Sequence, residues 1–257
     1  MRWFDTHCHL DRLPESLQPV VAVQHALAVG VKRIIVPGVT GAPSHAESLY
    51  ALSGVELAWG VHPDYIGECD CFDSNLEPWV GAGYTPVAIG ECGLDRRSRF
   101  SLKEQKPAFV WQLNLAVRHR LPVIIHLVGH YQLAYEILTA MPEVPTAVLH
   151  SWSGSPEMAK RFVAAGASIS LSGGHLHRPE KLVRLLAELP LSALLLETDA
   201  PDMAAPGWPG ICNEPAALPE IAAVIAEKAG IAVEKLSEIL YNNSVRIFGQ
   251  GKQQQNG

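Results

Sequence analysis

The sequence reads as an α/β protein built on a (β/α)8 TIM-type barrel. Its 257 residues match the roughly 250 typical of that architecture. Eight short apolar runs, most of them rich in β-branched residues, alternate with amphipathic stretches. The unusual polar residues cluster just after the apolar runs. Runs of this kind suit strands buried on both faces of a parallel sheet. An open doubly wound sheet is the alternative. No low-complexity linker interrupts residues 1–250, so they read as one barrel domain, and the Gln-rich stretch 251–257 reads as a disordered tail.

The first strand is expected over 2–5 (Arg-Trp-Phe-Asp). His7 and His9 follow it, and alternation along an extended chain puts both on one face with Cys8 on the other. Further strands are expected over 31–36, 55–59, 86–89, 122–125, 145–149, 167–171 and 193–196. The spacing predicts a helix over 101–120. Ser101 and Glu104 have capping-box spacing, and Val110, Leu113 and Val117 recur at helical intervals. Ser155-Pro156 opens another helix, with Ser at the N-cap and Pro at the first helical position, and Phe162 and Val163 on its apolar side. Arg178-Pro179 opens a third, carrying Leu182, Val183, Leu186 and Leu189. Helices over 218–228 and 233–241 close the chain.

Composition narrows the function classes. A formal charge of −6 argues against the whole molecule acting as an electrostatic trap for duplex nucleic acid. The five cysteines, Cys8, Cys69, Cys71, Cys92 and Cys212, are odd in number and scattered, which suits reduced thiols. The N-terminus has no apolar leader, and no apolar run reaches the roughly 18 residues of a membrane span. The expectation is a soluble, cytoplasmic, monomeric protein with no membrane partner.

The chemistry lies at the strand ends. Strand 1 leads into His7 and His9, strand 3 into Gly60-Val61-His62-Pro63, and strand 4 into Gly90-Glu91-Cys92-Gly93-Leu94-Asp95. Strand 5 leads into His126, strand 6 into His150-Ser151-Trp152-Ser153-Gly154, and strand 8 into Glu197-Thr198-Asp199-Ala200-Pro201. In a barrel these positions share the C-terminal face, where active sites form. Neutral imidazoles grip divalent metals, and a buried carboxylate needs a partner or a metal to offset its desolvation. His25, His45 and His119 fall in helical stretches and read as solvated. His130, His175 and His177 read as loop residues on the same rim.

These motifs, in this order, resemble the TatD family of metal-dependent deoxyribonucleases, within the amidohydrolase-like barrel superfamily. The resemblance runs from Asp5-Thr6-His7-Cys8-His9 to Asn243-Ser244-Val245-Arg246-Ile247-Phe248. It includes Gln105, Phe109 and Gln112 in the helix after strand 4 and Asn213-Glu214-Pro215 after strand 8. It implies two divalent ions, magnesium, manganese or zinc. His7, His9 and Asp199 would hold one, His126 and His150 the other, and Glu91 would bridge them. It further implies a metal-bound hydroxide as nucleophile, Asp199 as general base and His62 as donor to the substrate's phosphate or carbonyl oxygen. Asp95 and Arg96 are candidate substrate contacts, with Arg97 and Arg99 nearby. The implied substrate is DNA, single-stranded or at 3′ ends, cleaved exonucleolytically at the phosphodiester.

Two positions depart from the family pattern. Val128 stands where an arginine is common after strand 5. Pro209-Gly210-Ile211-Cys212 replaces a basic run before Asn-Glu-Pro. Both changes remove cations suited to phosphates. They keep open a hydrolase of a small ester, lactone or amide with the same metal chemistry. A barrel retaining its metals only for stability or as a scaffold is a third reading.

Overall fold

A computed structural model describes residues 1–67 and 85–249. Cys69, Cys71 and the tail 251–257 lie outside the described residues. Eight parallel strands form one sheet in the order β1-β2-β4-β5-β6-β7-β8-β9. They are β1 (Trp3–Asp5), β2 (Val31–Val36), β4 (Val55–Val61), β5 (Ala88–Asp95), β6 (Val123–Val128), β7 (Ala147–Leu149), β8 (Ser168–Leu171) and β9 (Leu194–Leu196). The two-residue β3 (Thr40–Gly41) pairs antiparallel with the end of β4. The sheet curls until its edges meet. Thr6 N–H donates to the Leu196 carbonyl, Asp199 N–H to the His7 carbonyl, and His9 N–H to the Ala200 carbonyl.

Helices cover the outside: α1 (Pro19–Ala28), α2 (Ala46–Tyr50), α3 (Leu102–His119), α4 (Tyr131–Thr139), α5 (Pro156–Ala164), α6 (Pro179–Glu188), α7 (Leu218–Ala229) and α8 (Val233–Phe248). The Ser101–Glu104 capping box forms at the start of α3, and Ser155 caps α5 by accepting from Met158 N–H. Outward-facing strand residues such as Ile34, Leu57, Ile125 and Leu149 join the large cluster beneath the helices. The alternate set, Phe4, Ile35, Ala58, Ala88, Ile124, Val148 and Leu195, packs with Phe248 of α8 in a separate inner cluster. This is the period-two division expected of a filled barrel.

The strands are longer at their C-terminal ends than the apolar runs suggested. Gly60-Val61 belongs to β4, Gly90–Asp95 to β5 and His126 to β6, rather than to the loops that follow. Backbone pairing explains the extension. Gly93, Leu94 and Asp95 pair with His126, Leu127 and Val128. Two buried glutamines of α3 then complete the ends. The Gln112 amide accepts from Val61 N–H at 2.7 Å and donates to the Val61 carbonyl at 3.0 Å. Gln105 accepts from Asp95 N–H at 2.8 Å and donates to the Asp95 carbonyl at 3.0 Å.

Candidate metal centre

Strand alternation delivers the polar cluster. Two residues beyond the inner-cluster side chains Ile124, Val148 and Leu195, the same face carries His126, His150 and Glu197. His62 stands four residues beyond Ala58. Glu91 reaches the interior because the β5–β6 register shifts between Ile89 and Cys92, as a bulge re-aims a side chain. Glycine is required there. Gly90 and Gly93 have φ of 142° and 151°, and a Cβ on Gly93 would overlap the His126 carbonyl oxygen. His7 and His9 lie past the end of β1, in the segment that continues its pairing: Cys8 N–H donates to the Ile35 carbonyl. Cys8 is buried in the outer cluster, on the side away from the two imidazoles.

The side chains gather around Glu91 in two lobes. On one side, Glu91 Oε2 lies 3.4 Å from His7 Nε2 and 3.3 Å from His9 Nε2. Those two nitrogens are 3.2 Å apart. Asp199 Oδ1 lies 3.6 Å from His7 Nε2 and 3.9 Å from His9 Nε2. On the other side, Glu91 Oε1 lies 2.9 Å from His126 Nδ1 and 2.8 Å from His150 Nε2, which are 3.0 Å apart. His62 Nε2 approaches the same oxygen at 3.6 Å. The His7 and His150 rings stack across the lobes, 4.0 Å between centroids. The structure thus brings together His7, His9, His62, Glu91, His126, His150 and Asp199.

This donor set fits divalent metal. Five imidazoles converge on one carboxylate, presenting more ring nitrogens than Glu91 can pair with by accepting hydrogen bonds. Ligand atoms on a tetrahedral ion with bonds of about 2.0–2.1 Å sit roughly 3.3 Å apart, close to the spacings on the Asp199 side. Triads His7–His9–Glu91, His7–His150–Asp199 and His62–Glu91–His126 all hold their donor atoms within 4.8 Å of one another. Mixed imidazole and carboxylate donors suit zinc and manganese, with magnesium favouring the carboxylates.

The electrostatics carry the same demand for cations. Burial would raise the Glu91 carboxyl, but His150, His62, His7 and the His126 hydrogen bond outweigh it and hold it well below the usual carboxylate range. Burial would lower His9, His126 and His150, yet the adjoining carboxylates carry all three above the ordinary histidine value. Burial pushes Asp199 up and His62 down to about 4. In the absence of metal, protons on His9, His126 and His150 offset the Glu91 charge.

Further carboxylates stand behind the ligand-type residues. Asp95 accepts from His126 Nε2 at 2.9 Å, leaving Nδ1 for the centre. Asp95 also accepts from Arg97, with Nη2 at 3.1 Å. It therefore sits behind His126, outside the lining of the cavity described below. Fully buried Glu197 lies 3.7 Å from His150 Nδ1 and accepts from Ser151 N–H. Fully buried Asp5 accepts from Thr198 N–H, Thr198 Oγ1 and His7 N–H, fastening β1 to the Asp199 loop. Burial pushes its carboxyl up to about 8 against those donors. Such outer partners fix ligand orientation in metal sites. Neither Glu197 nor Asp5 has a role legible from residue type, although counting in twos from Leu195 reaches Glu197.

The centre opens into a cavity of about 650 Å³ lined by His9, His62, Glu91, His126, His150 and Asp199, with Arg12, Tyr65, Arg97 and Met203 at its rim. Arg96, named from sequence as a substrate contact, is exposed and outside this lining, because its stem packs over Gly129. Arg97 lines the cavity instead. Of the remaining histidines, His25 is half exposed and paired with Glu214 at 2.9 Å, and His45 is exposed. His119 is half-buried, which corrects its reading as solvated. His175 bonds back to Ser172.

A parallel barrel whose strand ends deliver buried imidazoles and carboxylates to one open cavity is the architecture of a metal-dependent hydrolase. The family model described as TatD-related DNase matches residues 4–249. The metal-dependent hydrolase YjjV of Escherichia coli strain K12 is 35% identical over 265 residues, spanning 96% of this chain and 98% of that protein. Its crystal structure superposes with a TM-score of 0.84 at 32% identity, covering 96% of this chain and 98% of that one. The 3′-5′ ssDNA/RNA exonuclease TatD of Pectobacterium parmentieri is 32% identical over 237 residues, spanning 88% of this chain and 91% of that protein. The chain belongs to the TatD-related DNase family, and with it to the metal-dependent hydrolases.

Proposed function

We propose that this chain is a phosphodiesterase acting on the ends of single-stranded nucleic acid, DNA above all, as an exonuclease with two divalent ions. The observation that carries the reading is Glu91, whose two carboxylate oxygens face separate groups of imidazoles at the floor of an open cavity. A shared carboxylate suits two ions held about 3.5–4 Å apart. His7, His9 and Asp199 would hold one ion, and His126 and His150 the other. The relatives named as 3′-5′ ssDNA/RNA exonucleases support the substrate class.

When bound, the metals supply Lewis acidity to a water and to the attacked phosphate. The chain's own residues do the rest. Asp199 lies within 3.6–3.9 Å of His7 and His9, and burial raises its affinity for a proton. It serves as general base, taking the proton that the attacking water loses. His62 is held neutral by burial. Asp64 N–H donates to its Nδ1 at 3.1 Å, so the ring proton resides on Nε2. That N–H lies at the cavity wall and donates to a non-bridging phosphate oxygen. Asp95 and Glu197 keep His126 and His150 oriented.

A small-ester, lactone or amide hydrolase is the second reading. It is favoured by half-buried Val128 beside Asp95 and by Ile211, 83% exposed, both at positions where phosphate-binding cations were expected. A time course of end-labelled single-stranded DNA, with magnesium, manganese or zinc against a chelator, separates the two. Metal-dependent shortening from one end is the expected result. Intact DNA alongside metal-dependent ester or lactone hydrolysis would select the second reading.

A further inference from the structure

A second cavity, of about 690 Å³, adjoins the metal cavity and shares Arg97 and Met203 with it. Its lining contains Arg97, Arg178 and Lys181 and no aspartate or glutamate. That is unusual for a chain with a formal charge of −6. Arg97 is tied to Asp95, but the Arg178 guanidinium has no carboxylate partner among the described residues. Lys181 Nζ donates to the Ser153 carbonyl at 2.5 Å, which holds the ammonium over the cavity without neutralising it. His175 and His177 act as walls: burial keeps His175 neutral, and His177 bonds to the Ala204 carbonyl at 2.9 Å. Trp208, Leu182 and Met203 supply an apolar side. The Trp208 indole is fixed by its Nε1–H to the Cys212 carbonyl at 2.8 Å.

Cations beside a rigid aromatic surface are the elements of single-strand recognition, where phosphates meet charge and bases stack. The stretch is short. The next cavity outward shares Ser153, Arg178 and Lys181 but is also lined by Glu157 and Glu180, so favourable charge is confined to about one nucleotide.

We propose that the second cavity is the subsite for the nucleotide adjoining the scissile bond of a single-stranded nucleic acid, with Arg178 and Lys181 meeting its phosphate and Trp208 its base. The assignment rests on the nuclease reading above. It places this chain's phosphate-binding cations on the β8–α6 side of the barrel mouth, at Arg178 and Lys181 rather than at Val128 or Cys212.

The test compares wild-type protein with the Arg178→Gln/Lys181→Gln double variant, Arg178→Glu and Trp208→Leu. Each is loaded with manganese and assayed on labelled oligothymidylate and on bis(p-nitrophenyl) phosphate, which is small enough to occupy the metal cavity alone. Affinity for the oligonucleotide is read separately by anisotropy in chelator, over a range of salt. The expected result is a loss of about tenfold or more in oligonucleotide affinity and kcat/KM for the double variant, well beyond any loss on the small diester. The salt slope becomes shallower by about 0.7, one phosphate contact on a single strand. Arg178→Glu, whose side chain is exposed, shows the same pattern without disturbing the Ser153 contact, and Trp208→Leu loses affinity with an unaltered salt slope. Double-variant and Arg178→Glu proteins that match wild type on the oligonucleotide overturn the subsite and leave the nuclease reading standing. Equal losses on both substrates also overturn it, by placing the damage at the metal centre. A wild-type protein that hydrolyses the small diester but neither binds nor cleaves the oligonucleotide overturns the nuclease reading, and the subsite with it.

Discussion

Asp199 and Asp95 show how two carboxylates in one site are given different work by their surroundings. Asp199 faces the cavity, and burial raises its proton affinity. Asp199→Asn keeps the shape and removes the base. It is expected to leave the melting midpoint of the metal-loaded protein within a few degrees and to cut turnover by about 10²–10⁴-fold. Turnover near wild type at matched metal content would remove Asp199 from that role. Asp95 is buried behind His126, held well below the usual carboxylate range, against burial, by bonds from His126 and Arg97. Asp95→Asn is expected to weaken metal binding by about 10–100-fold, measured by competition with a chromogenic chelator. Unchanged affinity would make the His126–Asp95 contact incidental.

At the level of elements, helix α3 does more than cover the barrel. Gln112 and Gln105 act as side-chain substitutes for a missing strand, closing the backbone of Val61 and Asp95. Gln112→Ala strands the buried Val61 N–H and carbonyl. It is expected to cost about 1–3 kcal/mol per orphaned group, read from the urea midpoint. Because His62 follows Val61 directly, activity is expected to fall more than metal content. The strand positions and the ligand-type residues at their ends were legible in the sequence, because apolar runs and imidazoles are visible as letters. The Gln105 and Gln112 positions were visible as family features but without a task. The task depends on where β4 and β5 stop, and that is decided by pairing with β3 and β6 rather than by composition. Arg96 and Arg97 are adjacent and chemically alike, so only the path of the loop over Gly129 could tell them apart. Glu197 stands in the motif that follows the last strand, yet its burial beneath His150 is a tertiary fact.

For the whole molecule, protons and metals compete for one set of nitrogens. His9, His126 and His150 have raised values in the folded chain without metal. Their protonation therefore contributes stability that is fully present below about pH 6.5, the unfolded value, and is lost as pH rises through the folded values. Chelated protein is expected to lose thermal stability across the neutral-to-alkaline range. Metal-loaded protein is expected to gain relative to it over the same range, because ligands release protons on binding. Melting midpoints in chelator and in excess manganese, from about pH 5.5 to 9, should diverge; parallel curves would show that the cluster does not govern stability.

The seam where Thr6 meets Leu196 and His7 meets Asp199 also sets a timetable for the growing polypeptide. His7 and His9 are translated before the other candidate ligands, but Asp199, which faces them across the seam, is translated after all the others. A nascent chain halted after β7 already owns Glu91, His126 and His150, and still has an open N-terminal flank. The lobe around His126 can thus be assembled by a shorter polypeptide than the lobe around Asp199. An ion held by both His7 and Asp199 would clasp the first strand to the last.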